Sequence, residues 1–384
     1  MPSPPSDAGR APEPAHQPPE YQAATLEKVA RLGKLLRRFE GDPRLAGQLA
    51  LKGGTALNLA LAAGAPPRLS EDVDVNYVGR EDRAGMEAAR GTVEGAVVEH
   101  ASALGYEVRA GTDAHAGRKF SLRYRRAGGG EDWVAVDLNF LHRVPLGPPA
   151  RRALWQPPGA PPTAVTTASP EEIAGGKVTA ALARATPRDL VDLPTLRRVL
   201  GPAWEAPRTR GVVVAMAGML PRALDTYYAK IAAWQLQARD VRAHLAPLLP
   251  RGADVRPEAV VAAARAVAEP LVRLTPAERA FHDALHGYGE LRPEFLFPDD
   301  PEMADRIARS PVLRWKAANA RAHRARTHPG STPAPPARAV PAEGASTDGP
   351  AAPGDTQPRD DGPGGGMAGP GSSTGTPGGP GRAR

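Results

Sequence analysis

The chain has 384 residues and no cysteine, which excludes disulfides, thiol catalysis and cysteine-based zinc sites and removes any demand for an oxidising compartment. Lys and Arg number 49 against 42 Asp and Glu, a formal net charge of +7 at pH 7; both ends are neutral or acidic on balance, so the excess sits in the middle and suits a polyanionic partner. No apolar run is long enough for a membrane span, the stretch Gly211 to Leu220 included, and no signal-peptide pattern opens the chain, so a cytoplasmic protein that makes no membrane contact is expected.

The opening segment, residues 1–20, is Pro-rich and leans acidic. Residues 325–384 are mostly Pro, Gly, Ala, Ser and Thr with charges that cancel. Neither can bury enough apolar surface to offset ordering entropy, so both are expected to be disordered. The first structured motif is an apolar strand, Leu49 to Leu51, ending in Gly53-Gly54. A helix follows in which Leu57, Ala60, Leu61 and Gly64 recur at helical spacing, with Thr55 expected as its cap. Two glycines let the backbone approach a ligand, and helix N-terminal amides favour phosphate, which makes Gly53, Gly54 and Thr55 candidates for a phosphate cradle.

The next strand carries Asp72 and Asp74. Side chains alternate faces with a period of two, so the two acids share one face while Val73, Val75 and Tyr77 bury the other. Two such carboxylates are the oxygen-only set that Mg²⁺ takes, with waters and the phosphates of a nucleoside triphosphate completing the shell. Just upstream, Arg68 can hold a phosphate bidentately; Ser70 either satisfies backbone groups in the loop or touches the donor.

Phe120 to Tyr124 and Val134 to Phe140 alternate as strands around a glycine turn at 128–130. Lys119, Ser121, Arg123 and Arg125 form a basic stripe, either a nucleic-acid track or a solvated face. Asp137 and Asn139 lie opposite Val134, Val136, Leu138 and Phe140. If this strand pairs beside the first, Asp137 joins Asp72 and Asp74 as the third acid of a metal site, serving the attacking hydroxyl as ligand or base; otherwise it is a lone surface acid. Ser169-Pro170-Glu171-Glu172 reads as a capping box opening a helix to about Ala185, with Lys177 and Arg184 two turns apart on one face. Thr186-Pro187-Arg188-Asp189 repeats that logic. Asp189 is then a cap or a site residue, and Asp192 pairs with Arg188 or reaches the cleft to orient Lys177.

From about 200 to 320 the pattern is helical, with apolar residues at mixed three and four spacing over Leu220 to Leu249. Thr275-Pro276-Ala277-Glu278 is a third capping box, opening a helix that Gly287 would close. His282 and His286 are expected at exposed helix positions, and Tyr227, Tyr228 and Trp234 in a core.

The order Lys52-Gly-Gly-Thr-Ala-Leu, Arg68-x-Ser70-x-Asp72-x-Asp74, Val136-Asp137-Leu138-Asn139-Phe140, and then Glu171-Glu172-Ile173, Lys177, Arg184 and Arg188-Asp189-Leu190-Val191-Asp192-Leu193 resembles the AbiEii/AbiGii group of abortive-infection nucleotidyltransferase toxins over residues 22 to 290. The longer Ala- and Pro-rich spacer from Ala62 to Pro67 is a departure from that pattern. The resemblance implies an α+β chain with a polymerase-beta-like nucleotidyltransferase fold on a mixed sheet and a C-terminal helical lobe. It also implies Mg²⁺, a nucleoside triphosphate donor, a separate antitoxin protein and, as in some relatives, the tRNA 3′ end as acceptor.

On this reading residues 21–165 form the nucleotidyltransferase domain and residues 166–324 the mainly helical domain that completes the cleft. Asp72, Asp74 and Asp137 are the expected metal ligands and, with Lys177, the catalytic set. Lys177 neutralises charge developing on phosphate, and Arg184 assists or positions the acceptor. Gly53, Gly54, Thr55, Arg68, Ser70, Arg184 and Asp192 are expected around the nucleotide. A small-molecule or protein acceptor is the alternative, and a non-catalytic nucleic-acid-binding module the second.

Overall fold

The computed structural model describes residues 20–327, apart from 63, 65, 115 and 254. The expected disordered ends therefore lie outside the described residues, except Glu20 and the three residues 325–327, which are helical rather than part of a tail.

Helix α1 (Ala23–Glu40) forms because Val29, Leu32, Leu36 and Phe39 make one apolar stripe. Then come β1 (Leu49–Leu51), the short helix α2 (Gly53–Thr55) with a wide π turn over Ala56–Leu61, and β2 (Asp72–Tyr77). Helix α3 (Arg83–Ala103) leads to β3 (Glu107–Ala110), β4 (Gly117–Arg125), β5 (Glu131–Asn139), β6 (Ala150–Leu154) and β7 (Thr163–Thr167). The seven strands make one mixed sheet in the order β3-β4-β5-β2-β1-β7-β6. β2 runs parallel to β5 and β1 parallel to β7, and the other pairs are antiparallel.

The strand periodicity sorts the sheet into two faces. Val73, Val75 and Tyr77 of β2 and Val134, Val136 and Leu138 of β5 are fully buried. At about 1.5–3 kcal/mol per buried aliphatic side chain they hold both strands down on one side. That burial turns Asp72, Asp74 and Asn76, with Asp137 and Asn139, to the other side.

The remaining described residues carry helices and loops: α4 (Pro170–Arg184), α5 (Pro187–Leu200), α6 (Pro207–Ala217), α7 (Tyr228–Ala232), α8 (Ala238–His244), α9 (Pro257–Leu271), α10 (Pro276–Asp283), α11 (Pro301–Arg309) and α12 (Pro311–Thr327). α4 packs on α6, and α5 on α9.

Several local expectations are corrected. The α2 cap position is Lys52, and Thr55 lies inside the helix, its hydroxyl donating to the Asp72 carbonyl. Leu220 to Leu249 is broken into short pieces, in keeping with Pro221 and Pro247, which cannot donate to a helical ladder. Gly289, at φ +69°, closes the helix that starts at Pro276, rather than Gly287. His282 is 0% exposed and stacks on His286 with centroids 5.5 Å apart, because their shared face looks into the core with Phe281 and Leu285. Burial lowers both imidazoles, to about 4 and about 3, so both are neutral at pH 7. Tyr227 and Trp234 are buried as expected, but Tyr228 is exposed.

Candidate active site

The acids come together because β2 and β5 pair in parallel with Asp74 directly opposite Asp137, Asp72 opposite Ala135 and Asn76 opposite Asn139. Asp72, Asp74 and Asp137 line one cavity of about 400 Å³, with Lys119, Lys177, Arg184 and Arg188 around them. Lys119 Nζ is 3.3 Å from Asp137 and Arg188 Nη1 is 3.5 Å from Asp72. The Asp74 carboxylate has no hydrogen-bond or ion-pair partner among the described residues. Burial raises its pKa, Lys52 and Lys177 oppose that, and the neighbouring charges of Asp72 and Asp137 add to it.

A partly buried carboxylate in that state is what a hard cation satisfies, and one or two carboxylates with phosphate and water are the set Mg²⁺ takes. The residues fit the ion as a partial set. Among the described residues no group of three or more His, Cys, Asp or Glu side chains could hold a metal alone. Asp137 shares the cleft with Asp72 and Asp74 and pairs with Lys119.

The Gly-Gly turn serves the protein's own charges. Gly53 sits at φ +71°, and a Cβ there would lie 2.2 Å from Asp74 Oδ2; at Gly54 it would meet Ser70 Oγ at 2.8 Å, Arg68 Nη2 at 3.0 Å and Lys177 Nζ at 3.5 Å. Gly53→Ala therefore combines a backbone conformation costing about 1–3 kcal/mol with a clash against the least accommodated acid. Transfer should fall on the order of a hundredfold through misplacement of Asp74, whereas Gly54→Ala carries no positive-φ cost and a smaller overlap. Melting curves and initial rates of the two variants check this, and a Gly54→Ala variant worse than Gly53→Ala contradicts it.

Behind the turn lies a buried charge cluster. Arg68 donates to both oxygens of Asp192 at 2.8 and 2.7 Å, Lys177 Nζ is 2.6 Å from the same carboxylate, and Asn58 donates to it at 3.2 Å. Burial alone would raise Asp192, but Arg68 and Lys177 hold it well below the carboxylate range. The cluster forms because α4 ends at Ala185, in the left-handed region at φ 52°, and the next residue, Thr186, already caps α5. That tight joint folds α5 back along α4 so that Asp192 reaches Lys177.

Arg68 is buried against Asp192 while still lining the cleft, and Asp192 is fully enclosed behind it. The Thr55 hydroxyl is committed to the Asp72 carbonyl. Asp189 fills both roles left open for it: it completes the α5 capping box and holds Arg184, Nη2 to Oδ1 at 2.7 Å, at the cleft. Ser70 is buried beside Gly54 and lines the cleft.

A second chamber of about 360 Å³ shares Asp74, Asp137, Lys177 and Arg184 with the first and is closed by Ile173, Met216 and Met219. It contains residues the sequence reading passed over: Lys52, Asn76, His142 and Glu172. Asn76 was legible as the next member of the Asp72, Asp74 face. His142 and Glu172 carried no periodic signal, since loop and helix meet there only in three dimensions. Burial lowers His142 to about 4, so its imidazole is neutral at pH 7.

Burial pushes the Glu172 carboxyl up to about 7, against hydrogen bonds from the Leu146 and Gly147 amides and from Ser169. Because the folded pKa exceeds the unfolded one, the folded state binds the extra proton. The associated stability is complete below about pH 4.5 and is lost as pH rises through 7, about 3 kcal/mol in all. Glu172→Gln should flatten that part of a stability-against-pH curve, which chemical denaturation from pH 4.5 to 8 measures; an unchanged slope would contradict it.

The family model described as "Nucleotidyl transferase AbiEii toxin, Type IV TA system" matches residues 34–286. The chain belongs to the AbiEii nucleotidyltransferase toxin family. This AbiEii protein is accordingly a nucleotidyltransferase and the toxin of a type IV toxin-antitoxin system, with an antitoxin partner and a nucleoside triphosphate substrate. No curated relative matches its sequence. Among solved structures, it is similar to MenT4, a nucleotidyltransferase toxin from Mycobacterium tuberculosis H37Rv. Identity is 20%, over 76% of this chain and 93% of that one, with a TM-score of 0.45. It is also similar to an antigenic nucleotidyltransferase-like protein from Paracoccidioides brasiliensis, at 18% identity over 53% and 91% of the two chains and a TM-score of 0.32. Among the described residues of the AbiEii chain no helix is long and apolar enough to cross a membrane.

Proposed function

We propose that this AbiEii enzyme transfers a nucleoside monophosphate from a nucleoside triphosphate to the 3′ hydroxyl of tRNA, in the cytoplasm, with Mg²⁺ bound by Asp72 and Asp74. The observation that carries the reading is the register of Asp74 against Asp137 in a cleft rimmed by Lys119, Lys177, Arg184 and Arg188. Acids beside four cations suit a reaction in which both a metal and a polyphosphate must be held. Residues 21–165 supply the acids and Lys119, and residues 166–324 supply Lys177, Arg184 and Arg188.

When bound, Mg²⁺ supplies Lewis-acid charge stabilisation of the donor phosphates. The acceptor oxygen bonds to the α-phosphorus while the bond from that phosphorus to the leaving pyrophosphate breaks. Asp137, on the parallel strand, takes the hydroxyl proton. Lys177, anchored by Asp192, offsets the negative charge that builds on the phosphate oxygens, and Arg184 and Arg188 hold the phosphate chain. Asp192 carries one negative charge against the two positive charges of Arg68 and Lys177, so the cluster retains a net positive charge toward the cleft.

The test is incubation of purified protein with Mg²⁺, each labelled nucleoside triphosphate in turn and total tRNA, beside an Asp74→Asn control. Label in tRNA with the unaltered protein alone supports the reading. Label on protein or on a small molecule, with none on RNA, would move the acceptor to another class.

A further inference from the structure

We propose that Trp133 is a stacking platform for an unpaired base of an acceptor RNA strand, just upstream of its reacting 3′ hydroxyl. The inference rests on the RNA acceptor of the proposed function and adds where that strand is gripped.

Trp133 is 53% exposed, and of the three exposed large apolar side chains among the described residues it is the one that lines the cleft with Asp72, Asp74 and Asp137. An indole held in water at the mouth of a charged cleft forgoes a large burial gain, which core packing would otherwise have collected. Its placement follows from the strand period. Trp133, Ala135 and Asp137 share one face of β5, so the indole stands about 13 Å along the strand from Asp137. That distance suits a base whose own backbone, or the next nucleotide, reaches back to the acids.

The cavity system points the same way. The chamber closed by Met216 and Met219 meets the central cleft at Asp74, Asp137, Lys177 and Arg184. On the far side the cleft continues, through Asp72, Trp133 and Arg188, into a further cavity of about 210 Å³ reaching Lys28 and His244. The path thus runs past the acids in both directions, whereas a single nucleotide needs only one side.

Cations mark the extension: Arg188 beside Asp72, and Lys28, whose Nζ is 5.7 Å from the Trp133 ring centroid and 3.1 Å from Asp132. Acidic Glu71 and Asp72 lie there too, so the surface is not a uniform anion sink. A π face flanked by a few cations is what a flexible single strand uses, since every base can stack and the phosphates can find separate partners. A rigid duplex has no free base face to offer.

The test uses the full chain and a fluorescein-labelled single-stranded oligoribonucleotide, without nucleotide, read by anisotropy, for the unaltered protein, Trp133→Ala and Trp133→Phe. Trp133→Ala should weaken binding roughly tenfold or more, Trp133→Phe should stay within a few-fold, and a blunt-ended two-strand duplex should bind without regard to residue 133. In transfer assays Trp133→Ala should raise KM for RNA by the same factor and leave KM for the triphosphate within about twofold. Since the side chain is exposed, unchanged melting of both variants serves as the folding control.

Equal oligonucleotide affinity for Trp133→Ala and the unaltered protein overturns the inference. If RNA is still labelled in that case, the proposed function stands and only the role of Trp133 falls. If no RNA is labelled by any form, the proposed acceptor falls, and the affinity comparison alone then decides whether Trp133 grips a strand.

Discussion

Asp74→Asn is expected to lower nucleotide transfer on the order of a thousandfold while leaving the protein at least as stable as before. The activity loss follows from the position of Asp74, opposite Asp137 and between Asp72 and Lys177 in the cleft. Removing its charge takes away one of two carboxylates proposed to hold the metal, and that charge stabilisation is worth several kcal/mol.

The stability half has a separate cause. The carboxylate is partly buried, lacks a hydrogen bond among the described residues and faces two like charges, so desolvation and repulsion already push its pKa up. A neutral amide of the same shape removes that penalty. Rates with saturating triphosphate and RNA, together with a melting curve, check both halves. A variant transferring within tenfold of the original would remove Asp74 from the site. One that melts far lower would show instead that the charge is holding the fold, through Lys52 and Lys177.

Asp192→Ala should be the most destabilising single change at the site. Asp192 is 0% exposed and is the common partner of Arg68 and Lys177, themselves almost buried. Removing it leaves two cations facing each other without a counter-charge, at a cost of about 3–5 kcal/mol. That is a large share of the roughly 5–15 kcal/mol that holds a typical protein folded. The melting temperature should fall by about ten degrees.

Lys177→Met is the informative companion. Asp192 keeps its two hydrogen bonds from Arg68 in that variant, so stability should suffer less than in Asp192→Ala. Transfer should fall sharply all the same, because Lys177 is the member of the cluster that reaches the cleft. Equal melting temperatures for Asp192→Ala and the unaltered protein would mean that water, not Asp192, satisfies Arg68 and Lys177.

The same cluster shows where reading the chain as a string reaches its end. Strand alternation determined from sequence alone that Asp72 and Asp74 share a face, and that Asp137 lies opposite Val136 and Leu138, because a period of two is a local property of extended backbone. The caps at Ser169, Thr186 and Thr275 were equally legible, since a cap is decided within four residues. The order of the motifs was enough to indicate the AbiEii family before any coordinate.

Only the tertiary structure decided which charges meet. Arg68 had the chemistry for phosphate, and nothing local to it reveals that Asp192, 124 positions later, takes a bidentate pair of its N–H groups. The Gly-Gly turn read as room for a ligand; its glycines line the two chambers, and nothing local showed that Asp74 presses on Gly53 or that Ser70 and Arg68 press on Gly54. His282 and His286 had helical spacing but no sign of which face turned inward. Trp133 and Arg188 gained meaning only once α5 folded back on α4 and brought them to the mouth of one cleft. Periodicity and capping arise from the backbone within a few residues, whereas ion pairing depends on which distant segments the core brings together, and no window along the chain contains both partners.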